Sequence, residues 1–316
     1  MIDLPAIEPM MLWLYAGVLG LLIVASLTAF FLARSVTTDS GHETVRNLNA
    51  RIKAWWVMVL VFALAFVVGK GLTLVLFGLV SFYCLREFLS LTPTHPRDHA
   101  AIAAAFYLFV PLQYWLLWID WQAMLTILIP VYAFLLLPVL SVLWGITDDF
   151  LARTAKIQWG LMLAVFCVSH APALLLLDLG PHRPIYLLFF LITVVQLSDV
   201  LQYTVGKLFG RTKVAPHVSP SKTVEGLVGG GLLAVLVGTG LWWITPFSPL
   251  EAAGMAAAIV LAGFFGGLVL SAVKRSLGAK DWGAMIEGHG GALDRMDSVT
   301  FAAPIFYHLV NYFFAR

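Results

Sequence analysis

Ten apolar stretches, at 10–33, 54–69, 72–90, 100–118, 121–144, 158–176, 184–205, 226–244, 252–271 and 298–314, constrain this chain more than any other feature. Each is about long enough to cross a hydrocarbon core of roughly 30 Å as a helix. In lipid every backbone N–H and C=O must find a partner within the chain, so segments of this kind are expected to be helical. With 61% hydrophobic and 11% charged residues, the expected fold is all-α: a polytopic integral membrane protein of about ten transmembrane helices. Lys70-Gly71 joins the second and third spans in a tight hairpin. The N-terminus, Met1-Ile2-Asp3-Leu4-Pro5, has no basic region ahead of its apolar run and reads as a retained first span, not a cleaved signal. Cys84 and Cys167 fall inside spans without a C-x-x-C spacing, which argues against a structural disulfide or zinc.

The few charges set an orientation. Alternate loops (34–53, 86–99, 145–157, 206–225 and 272–297) hold sixteen of the nineteen Lys and Arg residues, and the other side holds Lys70, Arg183 and Arg316. The positive-inside rule then puts both termini outside and the basic loops in the cytoplasm. Two regions follow: an N-terminal transmembrane region, 1–157, and a C-terminal region, 158–316, with the two chemically informative stretches, 199–226 and 271–297.

Most isolated polar residues have plain readings. Loop 34–53, with Val45, Leu48 and Ile52, is either a short amphipathic segment on the membrane surface or a solvated connector. Trp55 and Trp56 suit an interfacial belt. Arg86-Glu87 reads as an ion pair reaching into the headgroups. Arg97, Asp98 and His99 read as loop residues, Asp148-Asp149 as a solvated loop end, and His170 beside Ser169 as a helix-packing hydrogen bond.

The run Ser271–Asp297 is different. Eight of its twenty-seven residues are charged, in a chain with 36 charged residues among 316. Asp294 and Asp297 are three apart, so on a helix their carboxylates share a face. Two such carboxylates suit a hard divalent cation, which commonly takes substrate phosphates as further ligands. Gly288-His289-Gly290-Gly291 lets backbone approach a ligand and aim N–H groups at an anion. Lys274, Arg275, Lys280 and Arg295 add positive charge. Metal, phosphate and cationic clamp together point to phosphoryl or nucleotidyl transfer.

Upstream, Asp199 lies in the inner third of an apolar span, where a carboxylate is costly and usually paired or functional. Ser219-Pro220-Ser221-Lys222-Thr223 then offers hydroxyls and an ammonium suited to phosphate. By itself this loop is equally the positive charge that topology demands. Gly229-Gly230-Gly231, Gly238, Gly240, Gly263, Gly266 and Gly267 permit close helix packing.

The run at 271–297 resembles the signature of CDP-diacylglycerol synthases (phosphatidate cytidylyltransferases), S-x-x-K-R, then K-D-x-G, then H-G-G-x-x-D-R-x-D. Here it is filled by Ser271, Lys274-Arg275, Lys280-Asp281, Gly283, His289-Gly290-Gly291, Asp294-Arg295 and Asp297. A second stretch of that family is matched by Asp199, Tyr203, Gly206, Gly210, Ser219, Pro220, Lys222, Thr223, Glu225 and Gly226. Glu287, Ala292 and Gln202 depart from the usual pattern. In the first half the likeness is limited to hydropathy and Asn47-Leu48, Arg51-Ile52 and Trp55-Trp56.

The resemblance implies CTP plus phosphatidate giving CDP-diacylglycerol and pyrophosphate. It implies Asp294, Asp297 and Asp281 as ligands of Mg²⁺ or Mn²⁺, with Asp199 a further ligand or an orienting partner for Lys222, and room for a second cation. Lys222, Lys274, Arg275, Lys280 and Arg295 would clamp phosphates, aided by Ser219, Ser221 and Thr223. The Gly290-Gly291 backbone would approach them and His289 would bond an oxygen or the leaving group. The implied partners are CTP and phosphatidate from the cytoplasmic leaflet, with a homodimer as an option and no nucleic acid. The implied location is a bacterial inner membrane, the site facing the cytoplasm. Two alternatives stay open: a CTP-dependent lipid-alcohol kinase of polyprenol or phytol type, and a transporter or non-catalytic paralogue.

Overall fold

The computed structural model describes residues 9–35, 39–143, 147–180, 184–285 and 290–315. The described residues are overwhelmingly helical: α1 (Pro9–Ser35), α2 (Asp39–Val68), α3 (Lys70–Leu91), α4 (Pro96–Trp118), α5 (Gln122–Val142), α6 (Phe150–Leu176), α7 (Pro184–Phe209), α8 (Gly226–Gly240), α9 (Pro249–Ser276) and α10 (Ala292–Phe313). Among the described residues eight of these are long and apolar enough to cross a membrane. The two others carry spans expected from the sequence. α8 is a shorter apolar helix, because the run after Gly240 turns away through a 3-10 turn at Trp242–Ile244. α10 begins with Asp294, Arg295 and Asp297 inside its first turns, three charges that lower its hydropathy. The segment 39–53 is neither a separate surface helix nor an irregular connector: α2 runs through it without a break.

Among the described residues the all-α expectation has one exception, a two-stranded antiparallel hairpin of β1 (Lys213–Ala215) and β2 (Ser219–Thr223). Its base is fastened by Val224 N–H donating to the Thr212 carbonyl at 2.9 Å. The Glu225 carboxylate also accepts from the Arg211 and Thr212 N–H groups at 3.1 Å. These bonds, with one from its own backbone N–H, hold the exposed Glu225 carboxyl down at about 2. The hairpin thereby becomes a rigid mount for Ser221 and Lys222.

Helix geometry departs from the regular α form in wide π-type turns at Ala105–Phe109, Leu128–Ala133, Met162–Cys167 and Gly226–Gly230. Pro130 lies within the second and Pro111 just beyond the first, and proline cannot donate to the helical ladder. The turn at Gly226–Gly230 has another cause. A Cβ on Gly226 would come within 2.6 Å of the Gln202 carbonyl oxygen, and one on Gly230 would collide with the Gln202 backbone. α8 and α7 meet backbone to backbone there, which only glycine allows, and the dry packing gains dispersion contact that apolar surface alone does not supply in lipid.

α10 lies at the centre, packed against α9, α7, α6 and α3, and α3 in turn packs on α2, α4 and α6. Phe306 and Tyr307 of α10, Phe190 of α7 and Phe77 and Leu85 of α3 are fully buried in this core. By contrast α1 packs chiefly on α2 and presents Trp13, Val24 and Phe31 outward, as expected of a lipid-facing helix. α9 starts at a capping box: Ser248 Oγ accepts from Glu251 N–H and Glu251 accepts from Ser248 N–H at 2.7 Å. His170 packs its ring against Phe166, Tyr307 and His308, but its hydrogen bond, Nδ1 2.7 Å from the Phe166 carbonyl, stays within α6 instead of joining two helices as expected. Asp148 and Asp149 are exposed, as a loop end should be.

Two plain readings fail. Asp98 is buried and forms an ion pair with Arg153 at 3.0 Å, linking the start of α4 to α6. Glu87 does not reach the headgroups with Arg86. Successive helical residues point about 100° apart, so Arg86 faces outward while Glu87 turns into the protein.

Candidate active site

Three elements distant in sequence build one cavity of about 220 Å³: α7, the hairpin strand β2 and the N-terminal turns of α10, closed by Phe264 of α9. Asp199 enters from α7. Ser298 Oγ donates to it at 3.0 Å, while the Ser298 backbone N–H donates to Asp297 Oδ1 at 2.8 Å. One serine thus ties the two carboxylates to a common position. Lys222 reaches in from β2, donating to the Phe264 carbonyl at 2.9 Å with its ammonium 4.6 Å from the centre of the Phe264 ring. Burial pushes the Lys222 ammonium below the usual lysine range, and the carboxylates of Asp199 and Asp297 oppose that shift. Gly267 makes the crowding tolerable: a Cβ there would stand 2.7 Å from Lys222 Nζ and 3.6 Å from Asp297 Oδ2.

Arg295 also lines the cavity. Its Nε–H is buried and finds no acceptor among the described residues. A buried unsatisfied charged donor is costly, and beside two carboxylates and a lysine it leaves capacity for an anionic oxygen. Ser221 and Thr223 line the same space. Thr223 Oγ1 accepts from Gly226 N–H at 3.0 Å and so also caps α8. Gln202 lines it as well, its amide donating to Ser198 Oγ at 2.6 Å.

Asp294 lines the cavity but is already paired within the protein. It receives Lys274 Nζ at 2.6 Å, Trp282 N–H at 2.8 Å and Gly291 N–H at 2.9 Å. The pair with Lys274 is buried, the side chains 6% and 10% exposed. In this arrangement Lys274 neutralises Asp294 and Gly291 caps α10, so neither is free to face a phosphate. Gly290 (φ 77°) supplies the left-handed turn that brings Gly291 to the Asp294 carboxylate. Arg275 is exposed and directed to the carbonyls of Val218 and Ala279, bracing the hairpin against the end of α9. Ser219 is buried next to Ser221, outside the cavity lining. Asp281 and Lys280 are exposed on the loop after α9 and do not line the cavity. His289 and Glu287 lie outside the described residues.

The donor set bears on a divalent cation. Among the described residues no three His, Cys, Asp or Glu side chains are arranged to hold a metal ion. Asp199 and Asp297 remain as two hard oxygen donors drawn to one point, which fits a cation that takes its other ligands from water and substrate phosphate. Asp294 accepts two N–H groups on Oδ2 and only the Lys274 ammonium on Oδ1, so as a third ligand it would have to share Oδ1 with that ammonium.

One residue at the heart of this construction escaped the sequence reading. Glu87 accepts the Ala292 N–H and the Leu293 N–H, both at 2.9 Å, and so holds the first turn of α10. Its only signal in the sequence was a carboxylate within an apolar helix.

A model of the cytidylyltransferase family matches residues 49–313. The chain is 36% identical over 300 residues to the uncharacterized protein YnbB of Escherichia coli (strain K12), covering 94% of this chain and 97% of that protein. It is 38% identical over 140 residues to the phosphatidate cytidylyltransferase of Aquifex aeolicus, covering 43% of this chain and 52% of that protein. For the phosphatidate cytidylyltransferase of Synechocystis sp. the figures are 41% over 117 residues, 36% and 39%. The chain thus aligns with about half the length, or less, of these phosphatidate cytidylyltransferases.

Proposed function

The chain belongs to the cytidylyltransferase family, and from that premise we propose that it transfers the cytidylyl group of CTP to phosphatidate. A phosphatidate oxygen attacks the α-phosphorus of CTP, the bond from that phosphorus to the β-phosphate oxygen breaks, and pyrophosphate leaves. The products are CDP-diacylglycerol and pyrophosphate. The nucleophile is already anionic, so the chain needs to align and neutralise charge more than to remove a proton.

The observation that carries this reading is the convergence on one cavity of Asp199, Asp297, Lys222 and the Arg295 Nε–H, unpaired among the described residues. Its volume is below the roughly 300–1,000 Å³ of sites that enclose a whole ligand, and suits the phosphate end of a nucleotide. Arg295 would bind a phosphate oxygen, Lys222 would neutralise charge between the two substrates, and Ser221 would donate to the same oxygens. Asp199 and Asp297 would hold Mg²⁺ or Mn²⁺, which supplies Lewis-acid neutralisation of the triphosphate. The excess of Lys and Arg on alternate loops supports a cytoplasmic site, and the relatives' bacterial sources support an inner-membrane location.

The test is purified protein in detergent with phosphatidate, α-labelled CTP and Mg²⁺, beside an Asp297→Asn variant. Label moving into the lipid phase, dependent on metal and lost in the variant, is the expected result. CDP formed only when a lipid alcohol is supplied would overturn it in favour of a kinase. No turnover of either kind would favour a non-catalytic paralogue.

A further inference from the structure

The glycines around the charged loop were expected to open the backbone to phosphate. The structure gives Gly291, and Gly283 ahead of them, another occupant. A Cβ on Gly283 would stand 2.8 Å from Glu87 Oε1, and one on Gly291 would overlap the Glu87 carboxylate. Both glycines line the seat of a carboxylate that arrives from α3, about two hundred residues earlier in the chain. The seat is built on the other side too: Phe88 stacks on Trp282, ring centres 5.3 Å apart, so α3 grips the loop with two consecutive side chains. Trp282 N–H is in turn one of the donors to Asp294.

The free N–H groups of a helix N-terminus are an anion site. In α10 those of Gly291, Ala292 and Leu293 are all taken, the first by Asp294 and the next two by the separate oxygens of Glu87. Three of the four N–H groups at the start of α10 are therefore occupied from within. Asp297, Ser298 and Arg295 sit on the first two turns beyond them, and rotating or fraying the first turn moves all three.

We propose that Glu87 is a positioning residue for the active site: it clamps the first turn of α10 so that Asp297 and Arg295 face Asp199 and Lys222. This rests on the cytidylyltransferase reading for its kinetic consequences and on geometry alone for its structural one. Phosphate recognition accordingly falls to Arg295 and Lys222 instead of the helix N-terminus.

The test uses Glu87→Gln, which keeps the side chain's shape but sets an amide N–H against a backbone N–H, and Gly291→Ala, which pushes the carboxylate out from the opposite side. Asp98→Asn is the control. It breaks a buried ion pair between α4 and α6 whose residues do not line the cavity, and so lowers stability without removing any of the hydrogen bonds that hold the start of α10. Loss of folded material lowers the maximal rate but leaves half-saturation points unchanged. The expected result is a rise of about tenfold in the Mg²⁺ concentration for half-activation and in KM for CTP in Glu87→Gln and Gly291→Ala, a charged hydrogen bond being worth about that factor. Asp98→Asn keeps the wild-type values. Both constants within twofold of wild type in both variants would overturn the proposal.

Amide exchange needs no turnover. The Ala292 and Leu293 N–H groups should exchange at least about tenfold faster in Glu87→Gln, and unchanged exchange would overturn the clamp even if wild-type protein transferred no cytidylyl group. A wild-type protein without transfer but with faster exchange in the variant would sink the enzymatic reading and leave the clamp standing.

Discussion

Replacing Asp294 by Asn separates a structural aspartate from a ligand aspartate. In this structure Asp294 accepts three hydrogen bonds, one from the buried ammonium of Lys274 at 2.6 Å. Asparagine keeps the volume and one acceptor oxygen but leaves Lys274 charged and without its partner at 10% exposure. Breaking one side of a buried pair costs about 3–5 kcal/mol, and the retained acceptor places this variant near the lower end. At about 2–4 °C per kcal/mol for chains of a few hundred residues, the melting temperature in detergent should fall by roughly 6–12 °C. Asp297→Asn, whose carboxylate is tied only to Ser298 among the described hydrogen bonds, should melt within about 2 °C of wild type. A double variant, Asp294→Asn with Lys274→Met, should recover part of the loss because neither charge is stranded. The measurement is thermal unfolding followed by intrinsic fluorescence in one detergent, with transfer activity on the same samples at low temperature. An Asp294→Asn protein that melts like wild type while losing activity as Asp297→Asn does would refute the assignment and return Asp294 to the ligand set.

Other outcomes follow from the same geometry. Asp199→Asn and Asp297→Asn should each lower transfer about a hundredfold or more, a magnitude typical of losing one preorganised charge at the reacting centre; steady-state label transfer checks this, and activity within tenfold of wild type would count against the paired-carboxylate site. Arg153→Leu strands Asp98 in a buried position and should cost about 3–5 kcal/mol, read as a lower melting temperature with an unaltered Mg²⁺ requirement. The Glu225 carboxyl is depressed from an unfolded value of 4.5 to about 2. Its contribution is therefore fully present above about 4.5 and lost as pH falls towards 2. Protection of the Arg211 and Thr212 amides, followed by exchange from pH 6 down to 2, should persist well below 4.5 in wild type and fall towards 2, and Glu225→Gln should remove that dependence. Gly230→Ala would drive a methyl into the Gln202 backbone and should prevent α8 from docking on α7, giving aggregated protein on gel filtration; a monodisperse, active variant would contradict the contact.

Much of the helical framework was legible in advance because apolar length and backbone satisfaction in lipid leave little choice. The described helices follow the expected stretches closely, and the shortfalls are local: the brief α8, the charged start of α10, the uninterrupted α2, and a break between α2 and α3 at Gly69 (φ 104°) instead of Lys70-Gly71, which begin α3. The hairpin was not legible, since Lys213–Thr223 carries no strand alternation and owes its form to the Glu225 clasp. At the site, the spacing of Asp294 and Asp297 placed both on one helical face, and Asp199 was marked by the cost of a carboxylate within an apolar span, whereas Lys222 stood out from ordinary loop charge only through the family resemblance. Those readings used local spacing and composition, which a sequence records directly.

Partnership is different, because it depends on which chain segments meet in space. That Asp199 and Asp297 share Ser298, that Lys274 occupies Asp294, and that Glu87 seals the start of α10 are contacts between residues up to about two hundred positions apart. A carboxylate has the same formal charge whether it awaits a cation or already holds two backbone amides. By itself the sequence determined a helical membrane protein with two charged motif stretches. Only the tertiary structure decided which charges are spent on holding those stretches together and which remain for chemistry, since hydrogen-bond saturation and burial are properties of position and not of residue type.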